Sequence, residues 1–163
     1  MLITNQWFCG LSDDARKIRE TVFVEEQGFP PEEEFDVLDD QAMHVVIYDG
    51  ERPVGTGRVY HDGKTFRIGR LCVLKEERGQ GIGDLMMRVL LVKAFEFNPT
   101  QVRIDAQAHA RTFYENFGFE QDGAEIEDAG VPHIPMRVTK DTLVFKSGCG
   151  KEMHFKEIFP DKE

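Results

Sequence analysis

The chain has 163 residues, enough for one well-cored domain and too few for two ordinary ones, and its 40% hydrophobic residues with 13 Phe exclude general disorder. A formal net charge of -10 with no Lys/Arg block repels phosphodiester backbones, which argues against a nucleic-acid partner. Cys9, Cys72 and Cys149 are scattered and form no CxxC, so neither a disulfide framework nor a zinc site is expected, and a reducing, cytoplasmic setting fits. No basic segment precedes a long apolar stretch at the start, and no apolar run is long enough to cross a bilayer, so the expectation is a soluble protein without membrane association.

In chain order, Leu2, Ile3, Trp7 and Phe8 suggest a short strand that ends at Gly10. Ser12-Asp13-Asp14 is a helix-start signal, and Ala15, Ile18, Val22 and Phe23 then fall on one helical face. "GFPPEEEFDVLDD" reads as a loop or short irregular helix, with the acidic run "PEEEFD" as solvated surface. The turn signals Asp49-Gly50 and Asp62-Gly63 divide the next stretch into an antiparallel meander of three strands. From Ile82 the apolar period becomes helical through Leu85, Met86, Val89, Leu90, Ala94 and Phe97, and Asn98-Pro99 ends that helix. "QVRIDAQ" alternates like a strand, "AHARTFYENF" is a short helix closed by Gly118, and the segment to Val138 forms a strand pair around a turn containing Gly130. The order predicts a mixed α/β (α+β) fold without repeats. Residues 140 to 163 suggest a hairpin around Ser147-Gly148-Cys149-Gly150 packed on the same domain.

Gly79, Gly81 and Gly83 lie where the chain leaves an apolar strand and enters a helix, a position where free N–H groups and the helix dipole favour an anion, phosphate above all. A Walker loop is excluded because Asp84 follows Gly83 and no lysine is in range. A dinucleotide GxGxxG is excluded because its last position falls on Asp84 in one register and on Met86 in the other. What remains is Arg-x-x-Gly-x-Gly from Arg78 to Gly83, after the strand "RLCVL".

This pattern resembles the pyrophosphate loop of the GNAT superfamily of acyl-CoA-dependent N-acetyltransferases. After one further strand, "ARTFYENFGFE" is similar to the superfamily's second motif, Ala-x-x-(Leu/Phe)-Tyr-x-x-x-Gly-Phe, in both order and spacing. "IRETVFVEEQGFP" and "DDQAMHVVIYDGERPVGTGRV" resemble the ElaA-like branch of predicted acetyltransferases, so that the likeness covers residues 1 to 139 as one domain, with 140 to 163 as an extension. The resemblance implies a mostly antiparallel central sheet with a splayed strand pair and flanking helices. It also implies acetyl-CoA as cosubstrate, a primary amine of a small molecule as acceptor, direct attack in a ternary complex, no metal, and a monomer or homodimer.

By matching position, the resemblance gives Leu71, Cys72 and Val73 backbone pairing with the pantetheine amides, and gives Arg78, Gly79, Gln80, Gly81, Ile82 and Gly83 the pyrophosphate through their N–H groups. Asp84 is expected to point to solvent, and Cys72 to serve strand packing rather than nucleophilic attack. Tyr114 matches the family's acid for the departing thiolate, and the Val73 N–H is the candidate oxyanion donor. Gln107 stands where the family commonly has asparagine and keeps the amide for a pantetheine contact. For the general base the candidates are Glu26, Asp39, Asp40, His44 and His133, which precede or begin elements bordering an acceptor pocket in this architecture. Glu25, Glu26 and Gln27 end the first helix, as either cleft lining or a solvated end. Arg58, Arg70 and Arg111 are expected to form ion pairs, with Arg111 also within reach of the phosphates. The readings open beside catalysis on a small amine are a non-catalytic acyl-CoA sensor, a protein-lysine or N-terminal acetyltransferase, and a purely structural partner protein.

Overall fold

Strand β1 (Ile3–Cys9) opens the computed structural model, which describes residues 1–162, and Ser12 then caps helix α1 (Asp13–Arg19) by accepting the Ala15 N–H at 3.2 Å. Ala15, Ile18 and Val22 share a buried face, as their spacing predicts. The helix does not stay α-helical: Glu20–Glu26 is a π-helix, closed by the Gln27 N–H donating to the Val22 carbonyl at 3.0 Å. Its wider turn lets the adjacent Val22 and Phe23 both enter the core. A short helix α2 (Pro31–Glu34) and a 3-10 turn (Val37–Asp40) follow, the latter started by a capping box between Asp36 and Asp39.

The chain forms two compact units, the first from residue 1 to 98 and the second from residue 99 onward. In the first, β1, β2 (Met43–Asp49), β3 (Arg52–His61) and β4 (Phe66–Val73) pair in sequential antiparallel order. The alternation of β3 assigns its faces. A Cβ on Gly57 would lie 2.7 Å from Leu90 Cδ1, so Gly55 and Gly57 face helix α3 (Ile82–Phe95), which buries Ile82, Met86, Leu90 and Ala94 among others. Thr56 and Arg58 face the other way, towards α1 and the π-helix, where Ala15, Ile18, Val22, Phe23, Val46 and Cys72 form one core cluster.

Between those registers β4 carries a bulge: Arg58 pairs with Gly69 and Thr56 with Cys72, so Arg70 and Leu71 together oppose Gly57. Arg70 adopts φ 52°, a left-handed conformation that costs a non-glycine residue on the order of 1–3 kcal/mol and is held by its surroundings.

In the second unit β8 (Val131–Val138) is central, with β5 (Val102–Gln107) paired along it and β6 (Glu120–Gln121) and β7 (Ile126–Asp128) also antiparallel to it. A 3-10 turn (Ala108–Ala110) and helix α4 (Arg111–Glu115) connect β5 to β6. The last residues form the hairpin β9 (Val144–Lys146) and β10 (Glu152–His154), then helix α5 (Phe155–Ile158). Antiparallel sheet with flanking helices is the mixed α/β class expected from the element order.

Gly118 closes α4 with φ +94°, and a Cβ there would sit 1.8 Å from the Thr142 carbonyl oxygen. The Val144 N–H donates to the Phe117 carbonyl at 3.1 Å, and Leu143 is fully buried beside this crossing. Gly118→Ala is therefore expected to lower the unfolding free energy by about 3 kcal/mol or more, through combined backbone strain and overpacking, as read from the urea midpoint. A shift below about 1 kcal/mol would mean that the Thr142 crossing adapts to a methyl group.

Candidate active site

The strand-to-helix junction has the geometry of an anion site. Gly79 and Gly81 take φ 80° and 83°, with open space where a Cβ would project, and Gly81 is the N-cap of α3. Among the described residues no protein acceptor takes the N–H groups of residues 79 to 84; the first amide engaged after them is Leu85, which donates to the Gly81 carbonyl at 3.1 Å. These donors sit at the positive end of a 14-residue helix. Asp84 turns along the helix to receive Arg88 Nε at 2.7 Å, away from the loop, as expected. Ahead of the loop the 3-10 turn Lys75–Glu77 is fastened by Arg52, which pairs with Glu77 and, at 2.6 Å, with Glu76.

Arg78 behaves differently from its neighbours. Its N–H bonds back to the Lys75 carbonyl at 3.4 Å, so the run of free amides is 79 to 84 rather than 78 to 83. Its side chain donates from Nε to the Val73 carbonyl at 3.0 Å and from both terminal nitrogens to the Glu26 carboxylate at 2.7 Å and 2.8 Å. That bidentate bond holds the Glu26 carboxyl below the usual carboxylate range. The Leu74 N–H donates to the Val54 carbonyl at 2.9 Å, so by antiparallel alternation the backbone groups of Val73 face away from β3.

The first unit also holds a buried ionic cluster. Arg19 donates to Glu34 Oε2 at 2.7 Å and to Asp39 Oδ1 at 2.7 Å, with all three side chains no more than 5% exposed. Arg58 donates to Asp36 and Asp39, each at 2.7 Å, and Arg70 reaches Glu34 Oε2 at 3.1 Å and the Glu33 and Glu34 carbonyls. The acidic run is thus not simply solvated surface: Glu32 and Glu33 are exposed, whereas Glu34 is enclosed because two guanidiniums compensate its charge. Arg19, Glu34 and Asp36 have no motif to distinguish them from solvated charges; the only signal was a charged residue immediately after the apolar helical face. Arg58 and Arg70 do form ion pairs, as expected.

His44 belongs to this cluster. It is 1% exposed, its Nε2–H donates to the Asp39 carbonyl at 3.0 Å, and burial pushes its pKa down. Cys72 packs in the core cluster under α1 and the π-helix, where burial pushes its thiol far up and keeps it protonated. Burial alone would raise Asp36 and Asp39, but the hydrogen bonds and charges of Arg58 and Arg70 at Asp36, and of Arg19 and Arg58 at Asp39, outweigh it and hold both carboxyls below their ordinary value.

In the second unit Gln107 and His133 are direct cross-strand partners on β5 and β8, which puts their side chains on one face. His133 is 8% exposed, and its Nδ1–H donates to the Val131 carbonyl at 2.9 Å, leaving Nε2 with the lone pair in the neutral ring. Tyr114 is half-buried on α4, its ring edge-on to Phe113 and to Phe119 with centroids 5.1 Å and 5.9 Å away. Arg111 lies one turn earlier on that helix and pairs with Glu115 at 3.6 Å. Among the described residues no group of three or more His, Cys, Asp or Glu is placed to hold a metal ion, and no helix is long and apolar enough to cross a membrane.

Residues 15–140 match the sequence profile of the acetyltransferase (GNAT) domain. The chain belongs to the GNAT acetyltransferase family. Within it, the uncharacterized N-acetyltransferase YjcF of Bacillus subtilis is 40% identical over 124 residues, covering 76% of this chain and 89% of that protein. The crystal structure of Escherichia coli ElaA superposes with a TM-score of 0.76 at 28% identity, over 84% of this chain and 99% of that one. An acyl-CoA N-acyltransferase from Pseudomonas aeruginosa gives a TM-score of 0.72 at 26% identity, over 83% of this chain and 100% of that one. As a GNAT acetyltransferase, the chain is an acyl-CoA-dependent N-acetyltransferase, and the ElaA resemblance read from the first half agrees with the structural likeness.

Arg19→Met should cost about 3–5 kcal/mol in unfolding free energy, because it leaves Glu34 and Asp39 buried with one fewer compensating cation. The depressed carboxyls of Asp36 and Asp39 set the sign of the acid response, which Glu34, raised by burial, partly offsets. Asp36 and Asp39 contribute stability at neutral pH that is lost as pH falls through the ordinary carboxylate range and then through their lower folded values. His44, kept neutral by burial, adds a loss in the same direction below about pH 6.5. Urea titrations from pH 7 to 3 should show steadily falling stability, with a shallower fall in Asp39→Asn; parallel curves would remove Asp39 from the acid response.

Proposed function

We propose that this enzyme transfers an acetyl group from acetyl-CoA to a primary amine of a small molecule by direct attack in a ternary complex. The observation that carries the reading is the run of free N–H groups from 79 to 84 at the start of α3, opened by two left-handed glycines. Donors without protein acceptors, no side-chain bulk and a helix dipole together fit a pyrophosphate. When bound, acetyl-CoA supplies an activated thioester carbonyl.

The roles of the protein groups follow from their surroundings. The backbone of Leu71, Cys72 and Val73 is assigned to the pantetheine arm, and the Val73 N–H, directed away from β3, to the developing oxyanion. The protonated, core-packed Cys72 thiol supports direct attack over a covalent acyl-enzyme. Tyr114 is the proposed acid for the thiolate, since an ordinary phenol near pKa 10 is protonated at neutral pH and close to a thiol in acidity. Gln107 is assigned a pantetheine contact. Of the candidate bases, His133 is assigned the role because its Nδ1 is taken up by the Val131 carbonyl and Nε2 is the ring nitrogen left for a substrate, whereas His44 is enclosed and is assigned to packing; Glu26 enters through its partner Arg78. Residues 140 to 163 are read as an extension of the acetyltransferase domain, supported by the family match ending at residue 140.

Gly81→Glu is expected to weaken acetyl-CoA binding by about a hundredfold or more, since it sets a carboxylate against the pyrophosphate, while Gly81→Asn, which tolerates the left-handed backbone and adds no charge, should lose far less. Calorimetry with acetyl-CoA separates the two, and equal affinities would reject the loop assignment. Tyr114→Phe should lower kcat by roughly 10- to 1,000-fold with acetyl-CoA affinity nearly unchanged, in assays that follow thiol release with polyamines, amino sugars, aromatic amines and lysine peptides. Unchanged turnover would remove Tyr114 from the acid role. Turnover confined to lysine peptides would replace the small-molecule acceptor by a protein one.

A further inference from the structure

The Arg78 guanidinium links two parts of the first unit that chain order keeps 52 positions apart: the end of the π-helix, through Glu26, and the loop it introduces. We propose that the Glu26 carboxylate competes with the pyrophosphate of acyl-CoA for Arg78, so that filling the loop releases Glu26 from its ion pair. The inference rests on the loop being the pyrophosphate site.

Arg78 immediately precedes the first free amide, Gly79, so its guanidinium is tethered within a side-chain length of any anion held there. Its Nε bond to the Val73 carbonyl is independent of Glu26, leaving the two terminal nitrogens as the exchangeable donors. The Arg78 and Glu26 side chains are 41% and 30% exposed, so they can separate through solvent without opening the core, and an exposed pair of this kind is weakly held. A pyrophosphate carries more charge than a carboxylate and accepts the same bidentate fork. Release removes the hydrogen bond that keeps the Glu26 carboxyl below its usual range, which makes it a better proton acceptor and a free anion for a cationic acceptor. By linkage, pyrophosphate and Glu26 weaken each other's hold on Arg78 by the same factor, so removing the Glu26 charge while keeping Arg78 must tighten the hold on the pyrophosphate.

The test is calorimetry with CoA itself, which carries the pyrophosphate but no acyl group, on the full chain. Glu26→Gln should bind CoA about three- to fivefold more tightly than the wild type, the amount one partly exposed ion pair withholds. Arg78→Met should weaken CoA binding, and in that background Glu26→Gln should change the affinity by less than about 1.5-fold, because the contested cation is gone. Glu25→Gln, which removes a neighbouring exposed carboxylate, controls for general charge and should match the wild type within the same margin. Thermal melts confirm that each variant is folded, and Glu26→Ala replaces Glu26→Gln if the latter is not. Unchanged or weaker CoA binding by the folded Glu26 variant overturns the proposal, as does an equal gain in the Arg78→Met background or in Glu25→Gln. Absence of CoA binding by the wild type overturns the loop assignment as well, whereas wild-type binding with no Glu26 effect overturns the competition alone.

Discussion

Asp39 is the point on which the first unit turns. One carboxylate receives Arg19 from α1 and Arg58 from β3, each at 2.7 Å, and its backbone carbonyl receives His44 from β2. None of these elements can shift without leaving a buried charge uncompensated, a loss much larger than what the intact cluster contributes over an apolar equivalent. Arg19 is also the last residue of α1, so the same contact fixes where the π-helix begins and therefore where Glu26 emerges. Through Glu34 the network extends to Arg70, which holds the bulge of β4 in its left-handed form. A charge cluster far from any motif thus determines the approach to the loop.

The loop itself is built from absence. Its glycines contribute no side chains and its amides no internal bonds, so its shape comes from what flanks it: the Arg52 pairs with Glu76 and Glu77 before it and the first turn of α3 after it. This division leaves polarity to fixed backbone dipoles, which need little reorganisation when charge develops. Side-chain chemistry is left to groups carried by other elements, the roles proposed above for Glu26, Tyr114 and His133.

How much of this was legible follows from the range of the forces involved. Local signals were read well: the Ser12 cap, the helix from Ile82, the meander turns and the glycine-rich junction all act over a few residues and leave a pattern in neighbouring letters. The π-helix was read as ordinary helix, because Ala15, Ile18 and Val22 fit the α period and a shift of hydrogen bonds from four to five residues back leaves almost no compositional trace. The burial of Glu34 was missed for a different reason. "PEEEFD" has the composition of a solvated loop, and only the convergence of Arg19 and Arg70 from other elements makes its burial affordable. For the loop, the pattern gave the location, but the Lys75 carbonyl that occupies the Arg78 N–H, moving the free amides on by one, follows from a turn that the pattern does not encode.

The bulge at Arg70 and Leu71 also works as a phase shift. Across it, Gly69 and Cys72 lie on the same side of the strand although they are three residues apart, while Leu71 turns to the side of α3, where it approaches the position of a Gly57 Cβ at 3.3 Å. Removing one residue there would restore unbroken alternation and leave Cys72 paired with Thr56 on its present side, so the extra residue absorbs length without changing which way the rest of β4 faces. A one-residue change in length is therefore taken up at the bulge, whereas at any regularly paired position of β4 it would turn every later side chain of the strand to the opposite face.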